Sequence, residues 1–171
     1  SNACNNILIG CCAGKQVTSG ACNLFIGIQN GSVNNVTGAT NIALGLCAMN
    51  QVTSGSNNIA IGCKAHGDNN LQGARNIAIG ESAGQHTTTA ADAIHIGHRS
   101  GYCSSSSTGQ IMIGKYAGYN SVGSCSLAIG HCAGAGFSGG TSMVALGANA
   151  MSNGTASGHN TVAIGARAGF N

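Results

Sequence analysis

The chain has 171 residues, of which 29 are glycine and 5% are charged, with no proline, no tryptophan and a formal net charge of +3. So few large side chains do not suit an ordinary globular core, and the six cations Lys15, Lys64, Arg75, Arg99, Lys115 and Arg167 are too scattered to neutralise a nucleic-acid backbone. No apolar run is long enough for membrane insertion as a helix, and the evenly spaced aliphatic pairs argue for order rather than disorder.

In chain order, Ser1-Asn2-Ala3 reads as a cloning scar, and residues 4–171 read as one repeat domain, expected to be a fragment of a longer fibre-like chain. The repeat appears when the chain is aligned on Gly10, Gly27, Gly45, Gly62, Gly80, Gly97, Gly114, Gly130, Gly147 and Gly165. These closing glycines are spaced by 16 to 18 residues, which marks a single array of about ten coils.

Before each closing glycine the pattern alternates as a short strand does. The residue one before it is Ile9, Ile26, Leu44, Ile61, Ile79, Ile96, Ile113, Ile129, Leu146 or Ile164, and three before it stands another aliphatic, from Ile7 to Val162. These aliphatic pairs are expected to fill the lumen of a solenoid. Between them lies a residue of the opposite face: Leu8, Phe25, Ala43, Ala60, Ala78, His95, Met112, Ala128, Ala145 or Ala163. Its small or apolar character suggests that this second, outward face is covered as well. No helical period is present, so the reading is an all-β solenoid whose units bury their apolar face only by stacking.

Two further columns support the stack. Glycine stands seven residues before the closing glycine at Gly20, Gly38, Gly55, Gly73, Gly123, Gly140 and Gly158, where positive φ or close backbone approach would favour it. Asparagine stands four before it at Asn6, Asn23, Asn41, Asn58 and Asn76, predicting a ladder in which each side-chain amide bonds the next.

The units Asn58-Ile59-Ala60-Ile61-Gly62, Asn76-Ile77-Ala78-Ile79-Gly80-Glu81-Ser82-Ala83-Gly84 and Thr161-Val162-Ala163-Ile164-Gly165-Ala166-Arg167-Ala168-Gly169 resemble the head repeat of trimeric autotransporter adhesins. They look still more like the Asn-Ile-Ala-Ile-Gly-x-x-Ala-Gly repeats of phage and giant-virus fibre-like proteins. The resemblance implies a left-handed β-roll, a homotrimer, and a structural or host-attachment role on a virion or cell surface. It also implies that the middle column, Leu8 to Ala163, lies near the subunit contact. In such a trimer three copies of His95 would converge on the axis, where they could hold a metal or an anion; no other cofactor is expected. The coil is longer than the adhesin unit of about fourteen residues, so the extra residues should project outward.

Nine cysteines are unusual for a secreted surface protein and suggest assembly in a reducing cytosol. Same-column pairs are two or more coils apart, too far for disulfides. The adjacent pairs Cys11-Cys12 and His131-Cys132 are expected to alternate faces, which would make a zinc site weak.

Receptor binding, to a host glycan or protein, is expected where the repeat departs from its consensus. Tyr102 and Tyr119 share a position in adjacent coils, so their rings could stack, and His98, Arg99, Lys115 and Tyr116 lie in the same coils. The rival function is a hexapeptide-repeat acyltransferase, suggested by Ile9-Gly10-Cys11-Cys12-Ala13-Gly14. Only one such match per coil, drifting spacing and the absence of a long excursion loop argue against it. The three carboxylates, Asp68, Glu81 and Asp92, occupy unrelated columns and give no acid pair, so the chain is read as non-enzymatic.

Overall fold

The computed structural model describes residues 3–68, 70–104, 108–136, 139–152 and 159–169; Gly158, Ser1 and Asn2 lie outside them. The chain is a β-solenoid of about nine turns, with about 17 residues per turn and no helix among the described residues. Its strands are β1 (Ile7–Ile9), β2 (Leu24–Ile26), β3 (Ile42–Leu44), β4 (Ile59–Ile61), β5 (Ile77–Ile79), β6 (Ile94–Ile96), β7 (Ile111–Ile113), β8 (Leu127–Ile129), β9 (Val144–Leu146) and β10 (Val162–Ile164). They form one parallel sheet in sequence order, so the strand of each coil pairs only with those of the coils before and after it. Register is maintained residue for residue, as in Ala60 opposite Ala78 and Ala78 opposite His95. We number the coils by their strands.

The closing glycine is what permits this stacking. Each has a φ between 123° and 133°, a conformation open essentially to glycine alone. A Cβ at Gly62 would lie 2.7 Å from the carbonyl oxygen of Gly80 in the next coil. The earlier turn glycines serve differently: none of Gly20, Gly38, Gly55 or Gly73 has positive φ, and close approach alone excludes a side chain. At Gly55 a Cβ would stand 2.6 Å from the oxygen of Gly73.

Two other corners are left-handed with ordinary residues in them. The second residue after each closing glycine has φ near 55°, from Cys12 (59°) to Arg167 (57°), and the fifth before it behaves alike, from Asn5 (56°) to Asn160 (56°). Such residues cost about 1–2 kcal/mol each, and the coil-to-coil hydrogen bonds maintain them regardless of side-chain type. Gly27 N–H to Ile9 O (2.8 Å) and Leu24 N–H to Asn41 O (2.8 Å) are representative.

The two faces of the strand are the reverse of those expected from the sequence. Phe25, Ala43, Ala60, Ala78, His95, Met112, Ala128 and Ala145 are fully buried within the single chain, and Ala163 is 7% exposed. The middle column therefore lines the lumen and does not face sister chains; Leu8, in the first coil, is 40% exposed. The aliphatic pairs point outward instead. Ile9, Ile26, Ile129 and Ile164 are exposed, and Leu44, Ile61, Ile79, Ile96, Ile113 and Leu146 are half-buried by their stacked neighbours.

The reason is space. A coil this small has room for about one large side chain between its strand and the opposite corner, not two isoleucines per strand. In seven of the ten coils that side chain comes either from the strand or from the opposite corner, four residues after the closing glycine; in coils 5, 8 and 10 both are small, Ala78 with Gly84, Ala128 with Gly134 and Ala163 with Gly169. Leu8, Phe25, His95 and Met112 face Gly14, Gly31, Gly101 and Gly118, while Ala43, Ala60 and Ala145 are accompanied by Met49, His66 and Met151. A Cβ on Gly14 or Gly31 would lie 2.5 Å from Leu8 Cδ1 or Phe25 Cε2. In these seven coils a large residue thus faces a small one across the lumen, as close packing requires.

The asparagine ladder exists, with different partners. Each Asn oxygen accepts the backbone N–H four residues before the next closing glycine: Asn23 from Asn41 (2.9 Å), Asn41 from Asn58 (3.0 Å), Asn58 from Asn76 (2.9 Å) and Asn76 from Ala93 (3.0 Å). Each Nδ2 donates to a turn carbonyl, as from Asn58 to Gly73 (2.9 Å). Amide-to-amide contact occurs between Asn41 and Asn23 at 3.1 Å. Side chain to backbone bonding is favoured because it satisfies buried groups that the turn leaves unpaired.

Candidate functional site

The residues expected to bind a receptor do come together, on the outside of coils 5 to 7. Tyr102 and Tyr119 stand at the same place in adjacent coils, so the solenoid rise sets one ring on the other: their centroids are 5.1 Å apart and their planes 8° from parallel. Tyr116 meets Tyr119 edge-on at 5.5 Å, and His98 meets Tyr116 edge-on at 5.2 Å.

The cations complete the cluster. The guanidinium carbon of Arg99 lies 5.6 Å from the Tyr102 ring centre, and Lys115 Nζ lies 5.5 Å from that of Tyr116, both within cation–π range. His86 joins at the other end, edge-on to Tyr102 at 4.6 Å. Sequence reasoning missed His86 because it stands one position later in its coil than the tyrosines do in theirs. Its place one coil before Tyr102 was the available signal.

The local backbone explains why so many side chains meet. A left-handed residue such as Arg99 (φ 53°) or Tyr116 (φ 58°) reverses the alternation of an extended chain. The side chain of the preceding residue, His98 or Lys115, then falls on the same side. The result is a partly exposed patch of stacked rings, hydrogen-bond donors and fixed positive charge. It offers ring faces to the C–H side of a sugar or to an apolar side chain, and donors to hydroxyl or carboxylate oxygens.

His95 is elsewhere. It is wholly buried in the lumen of its own chain, between Gly84 and Gly101, so three copies cannot meet on a threefold axis as the sequence suggested. Its ring lies 6.2 Å from that of His66, the lumen-filling side chain of coil 4, which is 1% exposed. His66 Nδ1 is hydrogen-bonded to Thr87 Oγ1 (2.6 Å) and lies 3.1 Å from the Gly84 carbonyl. Among the described residues His66 Nε2 has no hydrogen-bond partner, and neither nitrogen of His95 makes a well-aligned hydrogen bond.

Burial holds both rings neutral. The His66 pKa is lowered to about 3 by desolvation and by its proximity to His95, against a raising effect from Gly84; that of His95 is lowered to about 4 by desolvation, partly opposed by Gln110. Among the described residues no three His, Cys, Asp or Glu side chains gather as metal ligands.

The carboxylates are dispersed. Asp92 pairs with Arg75 of the preceding coil through Nε (2.6 Å) and a second guanidinium nitrogen (2.9 Å), and Asp68 accepts from Gln85. The nine cysteines are all free. Cys11-Cys12 and His131-Cys132 do not alternate faces: the left-handed corner brings the donor atoms of each pair within 3.7 Å. Comparison with protein-family models, with curated proteins and with solved structures gave no match.

Proposed function

We propose that the chain is a rigid structural and attachment module, a segment of a fibre or adhesin-head-like rod that assembles as a homotrimer and displays its aromatic cluster on a virion or cell surface. The observation that carries this reading is the uncovered aliphatic face. Two columns of Ile, Leu and Val run the length of the sheet and are left half-buried or exposed by their own chain. Contiguous apolar surface on this scale marks an interaction site.

The occupant we assign is further copies of the same chain. A flat strand face repeating at every coil is matched along its whole length by an identical face, and it carries no charge to recruit an unlike partner. Covering one half-exposed aliphatic side chain contributes on the order of 1 kcal/mol. Some twenty such side chains in ten coils are enough to exceed an association cost of roughly 4–15 kcal/mol. Ten coils at about 4.8 Å give a rod of about 50 Å, and stacking of the Tyr102–Tyr119 kind suits a glycan or exposed protein segment on a host.

Light scattering should give a trimer mass for the chain and a monomer mass for Ile61→Asp plus Ile79→Asp, whose outward side chains leave the lumen intact. A monomeric wild type at all accessible concentrations would refute the assembly. Attachment is tested separately on a glycan and host-protein array. Tyr102→Ala plus Tyr119→Ala should abolish binding without altering the mass, and unchanged binding removes that part of the proposal. An acyl-CoA titration tests the rival enzyme, which requires saturable binding.

A further inference from the structure

The corner just after each closing glycine places two consecutive side chains side by side. In an extended chain, neighbours point to opposite faces, and two consecutive ligand residues cannot chelate one ion. Here the second residue is left-handed, with φ 59° at Cys12 and 54° at Cys132, and the pair converges. Two of the ten corners carry Cys or His at both positions. In coil 1 these are Cys11 and Cys12, with Sγ atoms 3.7 Å apart and both residues exposed. In coil 8 they are His131 and Cys132, with Nε2 and Sγ also 3.7 Å apart.

Those separations match a tetrahedral ion. Metal–sulfur bonds of about 2.3 Å at a tetrahedral angle hold two thiolates about 3.8 Å apart, and replacing one with an imidazole bond of about 2.0–2.1 Å gives about 3.6 Å. Closing the chelate therefore needs almost no change in donor separation, on a backbone anchored by the bond from Gln29 N–H to Cys11 O (2.9 Å). Thiolate donors without a carboxylate select soft cations over calcium or magnesium.

We propose that Cys11 and Cys12 form a two-thiolate chelate for a soft d10 cation of the zinc and cadmium class, with His131 and Cys132 forming a weaker mixed site of the same design. Binding makes two metal–sulfur bonds and releases the two thiol protons, with no change of oxidation state. Solvent or small anions complete the coordination. Both donors bind as thiolates, so the ion displaces thiol protons and affinity rises with pH.

The test is titration of the fully reduced protein with cadmium, read as sulfur-to-metal charge-transfer absorbance, alongside calorimetry with zinc in buffers of different ionisation enthalpy. We expect the tightest equivalent to release two protons and to weaken more than about 10-fold in Cys11→Ser and in Cys12→Ser. Cys125→Ser, which removes an exposed thiol in another column, should leave it unchanged, and His131→Ala should affect only a weaker equivalent. All four residues project from the surface, so circular dichroism of each variant should match wild type. The proposal fails if the reduced protein takes up no cadmium, if the tightest equivalent survives both coil 1 substitutions, or if Cys125→Ser weakens it as much.

Discussion

The first five coils and the three that follow share one backbone but are held together differently. In coils 1 to 5, Asn6, Asn23, Asn41, Asn58 and Asn76 each bridge to the next coil, and in coils 1 to 4 the far wall of the lumen is apolar, built from Val17, Val36, Val52 and Leu71. Past coil 5 the ladder position holds Ala93, Gln110 and Ser126, while the wall turns polar from coil 5 onward, at Thr87, Ser104 and Ser121. Gln110 still donates to a turn carbonyl, that of Gly123 at 2.6 Å, as Asn58 does to Gly73. Among the described residues its oxygen makes no well-aligned hydrogen bond, and neither does the buried Ser104 hydroxyl. Repetition of the backbone thus does not require repetition of the interior. The aromatic cluster sits on the coils whose interior is polar.

The largest expected difference is in acid. Both lumen histidines have folded pKa values below the ordinary 6.5, at about 3 for His66 and about 4 for His95. The unfolded chain therefore binds more protons than the folded one below about pH 6.5, and stability falls as pH falls through that window. At pH 5 each ring costs about 2 kcal/mol relative to neutral pH, or about 4 kcal/mol together. Hydrogen exchange at pH 5 should show coils 4 to 7 opening while coils 1 to 3 stay protected. Uniform loss of protection would break the comparison. His95→Met, which copies the Met112 and Gly118 arrangement of the next coil, should remove about half of the acid effect.

Next in size is lumen filling. Met112→Ala should cost about 3 kcal/mol by leaving a cavity, and Gly118→Met alone should cost at least about 2 kcal/mol by overpacking. Together they recreate the Ala43 and Met49 arrangement of coil 3, where Met49 already has a φ of 49°. The double variant should return to within about 1 kcal/mol of wild type in urea melts. Simple additivity would show that the two positions do not share one space.

Smallest is the ladder. Asn58→Ala leaves the buried Asn76 N–H and Gly73 carbonyl without their side-chain partner and should cost about 2 kcal/mol. Ser126→Ala, at the same position in coil 8, removes one bond to Ser124 O (3.2 Å) and should cost less than about 1 kcal/mol. Equal costs would mean that the ladder contributes no more than the irregular stretch that replaces it.

Much of the candidate site was legible because a solenoid converts sequence period into distance. Tyr102 and Tyr119 are 17 residues apart, and the stack of their rings follows from that number together with the strand spacing. The pairing of large with small lumen residues was legible too, in Leu8 with Gly14 and Ala60 with His66, but only to a reader who knew that both positions faced inward. The convergence of Cys11 and Cys12 was not, since it depends on a left-handed φ that no residue type at that position demands.

What the amino-acid order determined by itself is the coil: a closing glycine every 16 to 18 residues, a three-residue alternating strand before it, and a parallel stack as the arrangement that pairs those strands. What the tertiary structure decided is which side of the strand is inside. Alternation fixes that Ile59 and Ile61 share a face opposite Ala60, yet it is symmetric with respect to lumen and surface. Hydrophobicity alone favours the two isoleucines inside. The choice was made by the cross-section of a coil about 17 residues around, which admits about one large side chain between strand and opposite corner and leaves the isoleucines outside.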